Sequence, residues 1–235
     1  MPLIYRGILL APGGLPVVGD AIGDELGVRN ADVVTTLYNG VPWVAPTNAG
    51  APQGTSVAPG SGCNLPPHRR PQGPPWNGTN NKAALRVWQL DTNQLVPNEL
   101  QYVPDPALLT HGFLSPAGRM PLQEYRDYVH STAPLWTIAP APPQPCAGAG
   151  AEGVPVDVEE RAALVDATAS GGDVEALVAE LRSANAAGTG RAALIAELTA
   201  GVERAEDDDA AEVLRTVLDR VTGFCSPHAR VELTD

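Results

Sequence analysis

Charge and helix-breaking residues are unevenly divided along this chain, and that division limits what it can fold into. Residues 1–150 carry eight Lys/Arg and nine Asp/Glu, a net −1; the other 85 residues carry seven Lys/Arg and eighteen Asp/Glu, a net −11. The first part is rich in Pro and Gly, which number 24 each in the 235-residue chain, so long irregular stretches are expected there. A neutral Pro/Gly-rich unit followed by an acidic one is a domain-level difference. The acidic part argues against a nucleic-acid-binding tail, which would be basic. It leaves open a module that docks on a basic surface.

Three cysteines, Cys63, Cys146 and Cys225, lie far apart. An odd number without short spacing suggests neither a disulfide framework nor a zinc site, and fits a reducing compartment. No run is long and apolar enough to span a membrane. The start, Met1-Pro2-Leu3-Ile4-Tyr5-Arg6, lacks the charged-then-apolar order of a signal peptide.

Leu3–Leu10 reads as a strand closed by Pro12-Gly13-Gly14, and Val17–Leu26 as a stretch that could form a short helix. Short strands are expected around Trp43–Pro46, Gly54–Val57, Ala84–Leu90, Leu100–Val103 and Leu108–Leu114. A helix is expected over Pro121–His130, with an edge strand at Trp136–Ile138. Residues 58–82 form a long Pro-rich irregular stretch, which in a domain is functional or mobile. In it, Arg69-Arg70 is read as a solvated pair in preference to one that meets a phosphate, and Trp76 as a residue that could cover a ligand.

Residues 139–156 read as a Pro/Ala/Gly linker between a first domain over 1–138 and a second over 157–235. The second opens on the capping-box pattern Asp157–Glu160. Apolar residues then recur at helical spacing through Leu177, Leu181, Leu194, Leu198, Val202, Leu214, Val217 and Val221. Three or four short helices follow, with Asp207-Asp208-Asp209 as an N-cap and Gly223 as a stop. The overall expectation is α+β: a mostly antiparallel β domain, then a small acidic helical bundle. That bundle is read either as a fold kept soluble by its charge, or as a delivery element or mask for the first domain.

No GxGxxG after a strand, GxxxxGK[ST], HExxH or GxSxG occurs, and no histidines are paired at metal-ligand spacing, so no metal is expected. Three fragments of the first domain stand out: Tyr5-Arg6 on the opening strand, Gly54-Thr55-Ser56-Val57 on a second strand, and Thr110-His111 followed by Pro116 and Met120. With Ala45-Pro46 and Val96-Pro97-Leu100 between them, this order resembles the small intracellular toxins first recognised as type VI secretion exported effector two, relatives of the ADP-ribosyltransferases. The likeness spans roughly residues 3–130.

The resemblance implies an ADP-ribosyltransferase-like fold, NAD as substrate, and action as a transferase or NAD glycohydrolase. Arg6 and Tyr5 would grip the phosphate or ribose, Gly54, Thr55 and Ser56 would hold the nicotinamide end, and His111 would take the third position. Glu99 and Glu124 are alternatives for that third role, and Gly112 stands where the family often has tyrosine. The resemblance also implies an immunity protein, a macromolecular target, a secretion apparatus and action in the cytoplasm of a target cell. Two rival readings are a target-binding module without turnover and a structural component of a secretion or phage-like particle.

Overall fold

The computed structural model describes residues 2–147, 165, 166, 168–205 and 207–234. The capping-box pattern at 157–160 and the second half of the expected linker, 148–156, lie outside the described residues. The protein is mixed α/β with mostly antiparallel sheets and several C-terminal helices.

The first strand, β1 (Leu3–Leu9), runs through the middle of the main sheet. Next come β2 (Thr36–Tyr38), β3 (Val41–Val44), β4 (Thr47–Asn48), β5 (Ala51–Pro52) and β6 (Thr55–Pro59). After the long loop come β7 (Leu85–Asp91), β8 (Leu100–Pro104), β9 (Gly112–Pro116), β10 (Met120–Pro121), helix α1 (Leu122–Ser131) and β11 (Thr137–Ile138). Six strands form one sheet in the order β11-β7-β1-β6-β9-β8, every pair antiparallel.

β1 pairs with β7 along its whole length, from Leu3 opposite Asp91 to Leu9 opposite Leu85. Its pairing with β6 stops after Ile4–Pro59 and Tyr5–Ala58. Beyond Tyr5 the two strands part, and the gap between them is where the site lies.

Alternation along the pleat sorts the side chains. Ile4, Ile8, Val57, Trp88, Leu90 and Leu114 join one core with Leu122, Tyr125 and Val129 of α1, whose spacing of three and four puts them on one helix face. Ala58, Leu65, Val87 and Phe224 form a smaller cluster on the other face, with Tyr5 and Trp76 packed against it. The Tyr125 hydroxyl ties helix to sheet: it donates to the Leu114 carbonyl at 2.5 Å and accepts from the Thr55 N–H at 3.1 Å. Gly54 precedes that contact with φ +145°, and a Cβ there would lie 2.5 Å from the Leu114 carbonyl oxygen, so glycine is required.

Residues 165, 166 and 168–170 are helical, and after them the described residues form α2 (Val174–Ala186), α3 (Arg191–Arg204) and α4 (Asp208–Thr222). Asp173 and Asp207 cap α2 and α4, and α4 ends on Gly223 in the left-handed conformation. Their core (Leu177, Leu181, Leu194, Leu198, Val202, Leu214, Val217, Leu218 and Val221 among others) holds no residue of the first domain.

Several expectations need correction. Val17–Leu26 is not helical; it is irregular, with a single bridge from Val18 to Leu26. The strand expected from Leu108 begins only at Gly112, after a turn in which the His111 N–H bonds the Leu108 carbonyl. Cys63 and Cys146 form a disulfide although 83 residues apart, because the tail after β11 returns to the loop after β6. The spacing argument against a disulfide therefore fails, and with it one premise for a reducing compartment. Trp76 is partly buried against the cluster of Ala58, Leu65, Val87 and Phe224. Arg69 and Arg70 are buried, each 3% exposed, because the long loop folds back through two 3-10 turns, Gly62–Asn64 and Pro67–Arg69.

Candidate functional site: an arginine cluster closed by a carboxylate helix

Where β1 and β6 part, Arg6 spans the gap. Its Nη1 donates to the Ser56 carbonyl at 2.7 Å, and its Nη2 to the carbonyls of Gly23 and Glu25 at 3.2 Å each. Gly7 lets the 67–69 turn approach, since a Cβ there would sit 2.1 Å from the Arg69 carbonyl oxygen. Arg69 and Arg29 thus join Arg6, and the three guanidinium groups line one small cavity.

Acidic partners come from two sources. The first domain supplies Asp32, 2.9 Å from Arg29 Nη2, and Asp24, which binds Arg69 Nη1 at 2.9 Å and Lys82 at 3.2 Å. α4 supplies the rest. Asp219 Oδ1 meets His68 Nε2 at 2.8 Å and Arg69 Nε at 3.1 Å; its Oδ2 pairs with Arg69 Nη2 and lies 3.4 Å from Arg29 Nη2. Glu212 Oε1 accepts from the Gly23 N–H at 2.8 Å and lies 3.9 Å from both Arg29 and Arg69.

Burial alone would raise the Asp219 carboxyl's pKa, but Arg69 and then His68 outweigh it and hold it well below the usual carboxylate range. Burial lowers Arg6 to about 10 against the pull of Asp32. His68 is lowered by burial despite Asp219, so at neutral pH it donates as a neutral imidazole.

The cavity is lined by Arg6, Gly7, Gly23, Arg29, Ser56, Arg69, Asp219 and Phe224 and encloses about 10 Å³, room for one water at most. Around it, Arg6 Nε and Ser56 Oγ are buried without a hydrogen-bond partner.

The sequence-derived candidates do not all converge. Arg6 and Ser56 reach the cavity. Thr55 sits on the opposite pleat from Ser56, its hydroxyl bound to the Gly27 carbonyl. Gly54 is held against β9, and Tyr5 packs with Ala58 and Leu65 on the other face from Ile4 and Ile8. His111 is fully buried with Nδ1 2.6 Å from Asp105, which Arg230 also binds, and its ring packs on Phe113 and Phe224 at 4.6 and 5.0 Å. Burial lowers the His111 pKa, and its Nε2 has no partner. Phe224 lies between this histidine and the arginine cavity, touching both. Glu124 is on the surface with Tyr128, and neither it nor Glu99 lines the cavity.

Sequence reasoning missed Arg29, Arg69, His68, Asp24, Asp219 and Glu212. In α4 the only signal is a polar strip, Glu212-Arg215-Asp219, flanking the apolar face, and such a strip looks like an ordinary solvated one. Among the described residues no group of three or more His, Cys, Asp or Glu is arranged to hold a metal ion, and no helix is long and apolar enough to cross a membrane. No protein-family model, curated protein or solved structure matches the chain.

Proposed function

We propose that residues 1–138 are the NAD-binding, ADP-ribosyltransferase-like domain of a toxin, delivered by a secretion system into the cytoplasm of a target cell and neutralised by an immunity protein. The observation that carries this reading is the meeting of Arg6 and Ser56, 50 residues apart, at the gap between β1 and β6. Those are two of the fragments on which the resemblance rests.

Arg6, with Arg29 and Arg69 beside it, supplies forked donors for a pyrophosphate. The unpartnered Ser56 hydroxyl would hold the ribose. His111, oriented by Asp105, is the third residue that the resemblance names, and Phe224 packs between it and the cavity. In the reaction the ribose–nicotinamide bond breaks, and nicotinamide leaves with the bonding electrons. The cationic sugar is captured by a macromolecular acceptor or by water, which gives up a proton. Catalysis of this kind depends on positioning and preorganised charge.

A binding module without turnover is the second reading. It is favoured by the engagement of both Arg6 Nη atoms with backbone carbonyls and by a cavity far below the ~300 Å³ of a ligand pocket.

The two are separated by producing the full chain, its Arg6→Ala form and its Asp219→Asn form in a bacterial host and measuring growth, cellular NAD and ADP-ribosylated protein. NAD loss or labelled protein that disappears with Arg6→Ala supports the transferase reading. Unchanged NAD and no labelling with both wild type and Asp219→Asn overturn it.

A further inference from the structure

Three observations converge on α4. First, the charges. Around the cavity the first domain contributes Arg6, Arg29, Arg69 and Lys82 against Asp24 and Asp32, an excess of two positive charges. Glu212 and Asp219 of α4 supply two negative ones, and Arg215 of the same helix, fully buried and 3.8 Å from Glu212 Oε2, offsets one of them.

Second, the donors that hold those carboxylates are two guanidinium groups, a neutral imidazole N–H and the Gly23 backbone N–H. That is the donor set of a phosphate site, and Asp219 sits in it as a two-oxygen anion. Third, three buried donors at the same cavity, Arg6 Nε, Arg29 Nη1 and Ser56 Oγ, have no hydrogen-bond partner while α4 is in place.

The helices also keep their own core. Among the buried hydrophobic clusters of the described residues, Phe224 is the one member that joins the C-terminal part to the first domain. Lifting the helices off together, α4 with them, would break the ionic contacts, the Ser226 bonds to the Asp32 and Gly54 carbonyls and the Arg230–Asp105 pair, and expose Phe224, without dismantling the bundle.

We propose that Asp219 and Glu212 are built-in occupants of a binding site for a pyrophosphate-bearing nucleotide, so that α4 and the ligand exclude one another. The nucleotide's identity as NAD rests on the reading above; the competition between helix and pyrophosphate does not. The closed chain is then the inhibited form. Its ligand must either compete with α4 or wait for another partner to draw the helix away.

Calorimetry tests this on the full chain, wild type and the double variant Asp219→Asn, Glu212→Gln, titrated with inorganic pyrophosphate and with NAD. Neutralising the two carboxylates is expected to tighten pyrophosphate binding by about 100-fold, since a buried cation loses its partner in the closed form. A wild-type measurement guards against a misfolded variant: pyrophosphate should speed hydrogen exchange in α4, because binding and displacement are linked. Equal affinity of wild type and a folded variant, or slower α4 exchange with pyrophosphate, overturns the proposal. Pyrophosphate that opens α4 while NAD neither binds nor is consumed upholds the competition and removes the NAD reading. NAD consumed equally by wild type and variant does the reverse.

Discussion

Replacing Asp219 by Asn tests how the C-terminal helices are held. The carboxylate is 1% exposed and takes His68 Nε2, Arg69 Nε and Arg69 Nη2 as donors, with Arg29 at 3.4 Å. Removing one partner of a buried ion pair costs about 3–5 kcal/mol, because the other charge stays buried. Here Arg29 keeps Asp32 and Arg69 keeps Asp24, which points to the lower end, about 3 kcal/mol. That loss falls on docking, not on the helical core, which contains neither Asp219 nor any first-domain residue. All four tryptophans lie between residues 43 and 136, so their fluorescence reports the first domain alone, while far-ultraviolet dichroism is weighted toward the helices. Urea unfolding of the wild type should show one transition by both probes. In Asp219→Asn the two should separate, with the first domain weakened. A loss below about 1 kcal/mol with coincident transitions would refute the idea that this ionic contact holds the two parts together.

Three further outcomes are expected. Tyr125→Phe leaves the Thr55 N–H and the Leu114 carbonyl without their buried partner and should lower unfolding free energy by about 1–3 kcal/mol in chemical denaturation. Cys63→Ser with Cys146→Ser opens a closed loop of 83 residues' separation and should cost roughly 4–5 kcal/mol on loop-entropy grounds, seen as a lower melting temperature that added reductant no longer changes. His68 and His111 both have folded pKa values lowered by burial, so below about pH 6.5 the unfolded chain binds the extra protons. Stability should be full above that pH and fall as pH drops toward the folded values, which melting curves from pH 8 to 4 would record.

Local chemistry was readable in the sequence. The apolar run at Ala84–Leu90 became β7, Pro121–His130 became α1 within a residue at each end, and Asp207 and Gly223 cap α4 as their residue types suggest. In each case the signal and the structure it specifies lie within a few residues. The site was half readable. The resemblance drew attention to Arg6 and Ser56, but period-two alternation puts Thr55 on the other pleat from Ser56. Arg69 was read as solvated because an arginine pair in a Pro-rich loop usually is. Its partners Asp24 and Asp219 are 45 and 150 residues away, and no local pattern announces them. Cys146 was misread for the same reason, its partner lying 83 residues upstream. The charge asymmetry did carry long-range information: an acidic module does meet a basic site, though through two buried side chains and not a solvated face.

The order of elements along the chain sets the order in which they leave the ribosome. Every strand of the main sheet is encoded by residue 138, and the carboxylates that neutralise its arginines come only with α4, which ends at Thr222. At ~5–20 residues per second, those 84 residues take roughly 4–17 s to synthesise. For that interval each nascent chain can hold a formed sheet whose Arg29 and Arg69 have only Asp32 and Asp24 as acidic partners. If α4 is the occupant proposed above, the cell that makes this protein meets it open first and closed second, once per molecule.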